Sequence, residues 1–452
     1  MMKKLILLFS LLCAVQTAQA QSSGEMLKTL RERVEVGKTN QSIVVALVDE
    51  KGTQFISCGK NAPAGDAKNS DENTVFEIGS LTKVFTTMLL AEASGRGEVK
   101  LDDPISKFLP ADIKTPMRGG KQITLLDLAT HTSALPRMPS NFAPKNPANP
   151  YADYTAAQMY EFLSGYELPR DIGKQYEYSN FGITLLGHIL SLRAKMSYED
   201  LVKARILQPL KMNDTTIALS PALKQRTAQG FDANGEAASL WDFGGLGGAG
   251  ALRSTAKDMA KFIAANIGLT KTDLSANFIE TRKPLREISA KMKVGLGWHI
   301  LPATATTGEV VWHNGGTGGF RSFAGFDAAR KKGIVILTNS AESADDIGFN
   351  FFDTTVPLKK IAPAIVVGEK ILDEYIGEYE LAPDFIFTVT RRSDKLFAQL
   401  SGQPRFRVFA EAENKFYFKV VEAQIVFNRG TNGTIESLTL NQNGSQTAKK
   451  IK

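Results

Sequence analysis

Hydrophobic positions along this chain fall into three successive regimes. Near the start, Ser42 to Asp49 (SIVVALVD) is a β-branched run, Glu50-Lys51-Gly52 a turn and Thr53 to Cys58 a second run, which together predict a hairpin. Ahead of it, Glu25 to Val36 reads as a polar, surface-lying helix. From about Ser80 to Asn266 the 3.6-residue period dominates. Leu81, Val84, Phe85, Met88 and Leu89 keep to one helical face, and Phe181 to Leu192 and Leu201 to Leu207 predict further helices. Met138 to Pro150 is a loop, carrying Pro139, Pro144, Pro147 and Pro150. Strand signals return at Val310 to His313, Phe320 to Phe326 and Ile334 to Asn339. The economical fold is α+β: one antiparallel sheet built from both ends of this region, with a helical region inserted between them.

A second change follows Phe352. Pro357, Lys359-Lys360 and Pro363 have linker character, and beyond them the pattern alternates with a period of two. Phe385-Phe387-Val389, Leu396-Ala398-Leu400, Phe406-Val408, Phe416-Phe418 and Ile425-Phe427 are separated by turn residues such as Ser393-Asp394, Ser401-Gly402 and Asn432-Gly433. Short strands at roughly ten-residue spacing predict a small all-β barrel or sandwich. The expected domains are therefore a leader over 1–20, a catalytic domain over 21–357, a linker over 358–365 and an all-β domain over 366–452.

The leader is a matter of composition. Met1-Met2-Lys3-Lys4 is basic, Leu5 to Val15 is apolar but too short to span a bilayer, and Ala18-Gln19-Ala20 is a small-x-small cleavage pattern. The expectation is a signal peptide cut after Ala20, a periplasmic or secreted protein and no stable membrane span. Cleavage also removes Cys13 and leaves Cys58 alone, so no internal disulfide is expected. The 54 Lys and Arg against 47 Asp and Glu are spread thinly, without a basic block, which argues against nucleic acid as a partner. Two cysteines and four scattered histidines without HExxH argue against a metal site.

Three segments carry candidate chemistry. In Phe76 to Lys83 (FEIGSLTK), Ser80 enters a helix and Lys83 lies three residues on, on the same helix face. A serine there also has free backbone N–H groups nearby, suited to an oxyanion. On its own the pattern reads equally as an N-cap serine and a solvated lysine. Tyr178-Ser179-Asn180 opens the helix that starts at Phe181, and alone is a tyrosine beside a cap. His313 to Phe320 (HNGGTGGF) is a strand turning glycine-rich, which suits either a substrate lying against its edge or a flexible hairpin. Gly245 to Gly250 fits G-x-G-x-x-G, but Ala238 to Phe243 (ASLWDF) is a poor strand to precede a dinucleotide site. His131, His188 and His299 read as packing residues.

Taken in order, Ser-x-x-Lys, Tyr-x-Asn and a basic residue-x-Gly strand followed by Gly-Thr-Gly-Gly-Phe form a three-part constellation. With Leu101 to Pro104 (LDDP), Leu125 to Pro136 (LLDLATHTSALP), Leu207 to Met212 (LQPLKM) and Gly250 to Phe262 (GALRSTAKDMAKF), the chain resembles the serine β-lactamase and penicillin-binding-protein superfamily. The resemblance is to its class C branch, with the related D-alanyl-D-alanine peptidases and esterases, and runs from about Ile43 to Asn339. Leu372 to Tyr379 (LDEYIGEY) in the tail is similar to lipocalin-like domains.

That resemblance implies an acyl-enzyme hydrolase. Ser80 would be the nucleophile, Lys83 its base, and Tyr178 a second base, held as phenolate or acting as a proton relay. Asn180 would meet the substrate amide, and the N–H groups of Ser80 and Gly316 would form the oxyanion hole. His313, Gly315, Gly316 and Thr317 would line the substrate strand. No cofactor or metal is required. The expected partner is a small-molecule or peptide substrate: a β-lactam first, a D-amino-acid peptide or an ester as alternatives. The non-enzymatic reading is a penicillin-binding or regulatory protein with weak turnover. One departure stands out, for this branch usually carries Lys-Thr-Gly where His313-Asn314-Gly315 stands. Histidine titrates near pH 6.5, so carboxylate recognition would depend on pH unless Arg321 supplies the charge, the alternative being that Arg321 faces the other side of the strand.

Overall fold

The structure, a computed structural model, describes residues 23–452 apart from 63–67, 245, 305–306, 362, 364 and 420. The expected leader lies outside the described residues. The central sheet has eight antiparallel strands: β1 (Ser42–Asp49), β2 (Gly52–Gly59), β3 (Arg286–Ser289), β4 (Met292–Val294), β5 (His299–Leu301), β6 (Val310–Gly316), β7 (Arg321–Asp327) and β8 (Lys332–Thr338). Their spatial order is β2-β1-β8-β7-β6-β5-β4-β3, so β1 and β8, from the two ends of the domain, lie side by side with Ile43 opposite Thr338. This is the α+β arrangement expected from the sequence. The short hairpin of β3 and β4 was not expected: its REIS and MKV segments are too brief and too exposed to show a period.

β1 reads as an unbroken apolar run because both of its faces are covered. Val44, Ala46 and Val48 pack on the helical layer, while Ile43 and Val45 face Leu30, Ala344 and Ile347 on the other side. Helix α1 (Thr82–Gly95) runs through the middle of the helical layer and is buried almost all round, with Phe85 stacked on Phe262 at 4.2 Å. Around it lie α2 (Asn180–Ala194) and α3 (Ala256–Asn266), each started by a side-chain cap, Ser179 and Thr255 respectively. On the far face of the sheet, α4 (Asp345–Phe352) packs against β7 and β8.

Two expected helices differ in detail. The first occupies 23–31 and widens into a looser turn at Glu32–Val36, and it is not wholly superficial: Arg33 is buried and ion-paired with Asp346. The run ending at Leu207 divides into Tyr198–Val202 and Lys203–Leu207.

The period-2 tail forms a closed eight-stranded barrel from Gly377–Ala382 to Ser445–Lys450, closed by pairing of Tyr379 with Lys450. Closure removes the free edges that a short sheet would otherwise expose. The barrel has its own core of alternating inward residues, including Phe387, Val389, Leu396, Phe416 and Phe427, with Tyr375 stacked on Phe427 at 4.2 Å. Among the described residues no helix is long and apolar enough to cross a membrane.

Candidate active site

Ser80 sits in a single tight turn, Gly79–Leu81, that leads into α1. The turn exists because Gly79 adopts φ +50°, and because it packs against the end of β6 with no space for side chains. A Cβ on Gly79 would stand 2.6 Å from the Gly316 nitrogen. A Cβ on Gly315 would stand 2.1 Å from the Ile78 oxygen and 2.9 Å from the Ser80 nitrogen. Both distances are far inside van der Waals contact, so these glycines set how closely the serine turn approaches the strand. Among the described residues β5 pairs only with Val310 to Trp312, so the later part of β6 has no strand partner there on that side.

One helical turn past Ser80, Lys83 is fully buried. Its ammonium nitrogen lies 3.0 Å from Ser80 Oγ and donates to the Ala249 oxygen at 2.6 Å. The solvated-lysine reading therefore fails. Desolvation, reinforced by the nearby Arg137 charge, holds the amine well below its ordinary pKa. The Ala249 carbonyl comes from the Gly247–Ala249 turn, inside the segment that resembles a nucleotide fingerprint. Those glycines serve packing: a Cβ on Gly248 would lie 3.1 Å from the Gly187 Cα of α2.

Tyr178 is half-buried beside Ser80, which helps to lower its phenol pKa. Lys83 Nζ and the Arg137 guanidinium each lie 5.0 Å from its ring centroid, and His131 stacks on it at 4.6 Å. Burial pushes the phenol up to about 12, outweighing the lowering from Ser80 and Arg137. Of the two expectations for Tyr178, a raised phenol pKa favours the proton relay over the phenolate. His131 Nδ1 accepts the Ser179 N–H at 3.0 Å, which fixes a neutral imidazole beside the tyrosine and agrees with its reading as a packing residue. Asn180 opens α2, its backbone N–H bonded to the Arg137 oxygen at 3.0 Å and its side chain against Met138 Sδ.

His313 behaves differently from the sequence expectation, while Arg321 follows the reading in which it faces the other side of the strand. His313 lies opposite Ala324 on the helix-facing side of the sheet, 1% exposed, its ring 6.1 Å from that of Tyr178 and 5.2 Å from that of His299. Its Nδ1–H donates to the Asn314 oxygen. Burial first, reinforced whenever His299 or Lys83 carries a proton, holds it well below 6.5, so it is neutral across the physiological range. The titrating-histidine expectation is corrected accordingly. Arg321 lies opposite Gly316 and points to the other face, where its Nη1 donates to the Thr317 and Phe320 oxygens at 2.8 and 2.9 Å and where Glu342 and Asp345 are its acidic neighbours. Thr317 is buried at the end of the strand, near Glu77. The cation that does stand over the site is Arg137, which sequence reasoning missed. It lies in a proline-rich loop and no spacing rule connects it to Tyr178.

A cavity of about 1130 Å³, lined by Glu25, Asp49, Lys332 and Phe351, lies away from this cluster. Cavity size therefore does not locate the chemistry here. Among the described residues no cluster of three or more His, Cys, Asp or Glu could hold a metal ion.

Residues 30–351 match the beta-lactamase family, and residues 362–452 match a domain of unknown function (DUF3471). The chain belongs to the beta-lactamase family. It is a serine hydrolase of the beta-lactamase type. Relatives include the D-alanyl-D-alanine-carboxypeptidase/endopeptidase AmpH of Escherichia coli K12, 28% identical over 75% of this chain and 92% of its own length. A beta-lactamase of the same organism is 27% identical over 74% and 93%. Penicillin-binding protein 4* of Bacillus subtilis is 27% identical over 83% and 87%. Among solved structures, a class C beta-lactamase superposes with a TM-score of 0.65, at 21% identity, over 75% of this chain and 98% of that one, a likeness of fold.

Proposed function

We propose that this chain hydrolyses an amide or ester through an acyl-enzyme on Ser80. The observation that carries this is the buried Lys83 amine, 3.0 Å from Ser80 Oγ. A serine hydroxyl needs a proton acceptor at neutral pH, and a lysine whose pKa desolvation lowers can serve as one. Lys83 takes the Ser80 proton as Oγ attacks the carbonyl carbon. The N–H groups of Ser80 and Gly316 receive the developing oxyanion. Tyr178, a phenol beside Ser80, relays a proton from Lys83 to the leaving nitrogen or oxygen. Water then attacks the acyl carbon, and Ser80 regains its proton from the same pair of groups. Asn180 contacts the substrate amide, and the free part of β6, at Gly315 to Thr317, lies along the substrate.

The first substrate class is a β-lactam, on which this cycle would confer resistance to the antibiotic. A second reading, a D-alanyl peptide or a neutral ester, is favoured by one observation. His313 is uncharged and Arg321 faces away, so β6 offers no cation to a substrate carboxylate. The leader directs export to the periplasm or beyond, and the barrel from about 366 serves as a separate domain without a catalytic part. Mass spectrometry after exposure to a penicillin and to a fluorophosphonate should find one adduct, on the peptide containing Ser80. A label elsewhere, or equal labelling of Ser80→Ala, would remove the acyl-enzyme reading. Parallel turnover of nitrocefin, a D-Ala-D-Ala peptide and p-nitrophenyl acetate ranks the substrate classes.

A further inference from the structure

The barrel meets the catalytic domain through a small hairpin, Gly230–Phe231 paired with Ala237–Ala238. Its turn carries Glu236, which pairs with Lys395 of the barrel at 2.8 Å, and Asn234, whose side-chain oxygen accepts the Arg407 N–H at 2.8 Å. Beside this contact lies a cavity of about 340 Å³ between the two domains. Lys38, Arg321, Arg407 and Lys419 line it, and so do two acids, Asp232 and Glu342.

Both acids are already engaged. Asp232 Oδ1 accepts the backbone N–H groups of Asn234 and Glu236, at 2.9 Å each, within its own turn. Glu342 is ion-paired with Lys359. The cations are under-committed. Arg407 Nε is buried without a hydrogen-bond partner among the described residues, while its Nη1 reaches the Asn234 oxygen at 3.4 Å and its guanidinium lies 4.6 Å from the Phe409 ring centroid. Lys419 Nζ lies 4.1 Å from the centroid of the same ring and makes no ion pair among the described residues. Arg321 has placed only Nη1, on carbonyl oxygens of the segment that follows the catalytic strand.

We propose that this interdomain cavity is a binding site for a small free anion bearing carboxylate or phosphate oxygens. Like charges held in a partly desolvated space repel one another, and an anion at their centre reverses that term. Guanidinium groups suit such oxygens because their N–H donors can form paired bonds. Burial pushes Lys419 down to about 8, the Glu342 carboxylate only partly opposing it and the Arg407 and Lys359 charges adding to it. The volume admits an ion of phosphate or dicarboxylate size with a few waters, since a water takes roughly 30 Å³. Arg321 joins this site to the catalytic strand, for the same guanidinium faces the cavity and holds the Thr317 oxygen.

The test uses the full chain, titrated by calorimetry and thermal unfolding with inorganic phosphate and with succinate, ionic strength being held constant with sodium chloride. Saturable binding of either probe, with a rising Tm, is expected, and Lys419→Gln should weaken it at least tenfold. Lys38→Gln, at the exposed rim and remote from either core, should weaken it several-fold and keeps the test intact should the buried substitution fail to fold. The relative response to the two probes tells phosphate from carboxylate preference. A Tm response reproduced by chloride alone, no response to either probe, or affinity unaltered by Lys38→Gln and by any folded Lys419→Gln, would overturn the proposal.

Discussion

Lys83 Nζ and Ser80 Oγ stand 3.0 Å apart, and only the lysine of the pair is wholly removed from water. That asymmetry determines a pH profile. A base works in its unprotonated form, and burial lowers the Lys83 pKa well below 10.5. Below that lowered pKa the amine is charged and acylation stops. Above it the amine is free and acylation reaches a plateau. kcat/KM for a neutral ester should therefore rise with pH through a single acid limb that lies well below the range of an ordinary lysine. Lys83→Arg, whose guanidinium keeps its proton, should cost roughly 10²–10⁴-fold in kcat/KM and leave no plateau. A limb near 10.5 in the native enzyme would contradict the neutral-amine mechanism.

Gly315 offers a steric test of the oxyanion site. A methyl group there would lie 2.1 Å from the Ile78 oxygen and 2.9 Å from the Ser80 nitrogen, both backbone atoms that cannot swing aside. Gly315→Ala must part β6 from the serine turn. The two N–H donors, Ser80 and Gly316, then separate, and losing one such donor costs about 10²–10³-fold in kcat. The expected signature is a fall in kcat larger than any rise in KM. Since the collision is local, circular dichroism should still show a folded protein.

The architecture was legible because it rests on periodicity. SIVVALVD, the α1 stripe from Leu81 to Leu89 and the alternating tail each specify an element by local sequence, and order along the chain was enough to place the sheet's two ends together. The i, i+3 spacing likewise brought Ser80 and Lys83 to one helix face. What stayed hidden depends on contacts between distant segments. Arg137 reaches Tyr178 from a loop forty-one residues earlier. The Ala249 carbonyl that binds Lys83 comes from a stretch resembling a different motif. The face taken by Arg321 follows from the register of β7 against β6, with Gly316 opposite Arg321 and Gly315 opposite Ser322, and sequence alone does not supply that register.

His313 permits a prediction opposite to the one its residue type suggests. A histidine in water would gain charge between pH 8 and 6 and draw in an anionic substrate. Here burial, the leading cause of the lowered pKa, keeps the ring neutral through that range. KM for an anionic lactam and KM for a neutral ester should follow parallel profiles from pH 5.5 to 8.5. A selective fall in the lactam KM toward low pH would show that the ring does protonate beside the substrate.

Arg137 should tune the base without touching it. Its guanidinium lies 5.0 Å from the Tyr178 ring centroid, and its charge is the second cause, after desolvation, of the lowered Lys83 pKa. A positive charge disfavours protonation of a nearby amine. Arg137→Gln removes that charge, so Lys83 holds its proton to higher pH and the acid limb of kcat/KM should move upward. Tyr178 should move the same way, because Arg137 lowers its pKa as well. Arg137→Lys retains the charge and should restore much of the original limb position. A residue that only packed against the tyrosine would behave otherwise: both substitutions would lower the plateau while leaving the limb where it was. Measuring kcat/KM of one neutral ester from pH 5 to 10 in the three proteins separates the two, since electrostatic coupling shifts the curve sideways and lost packing shifts it down.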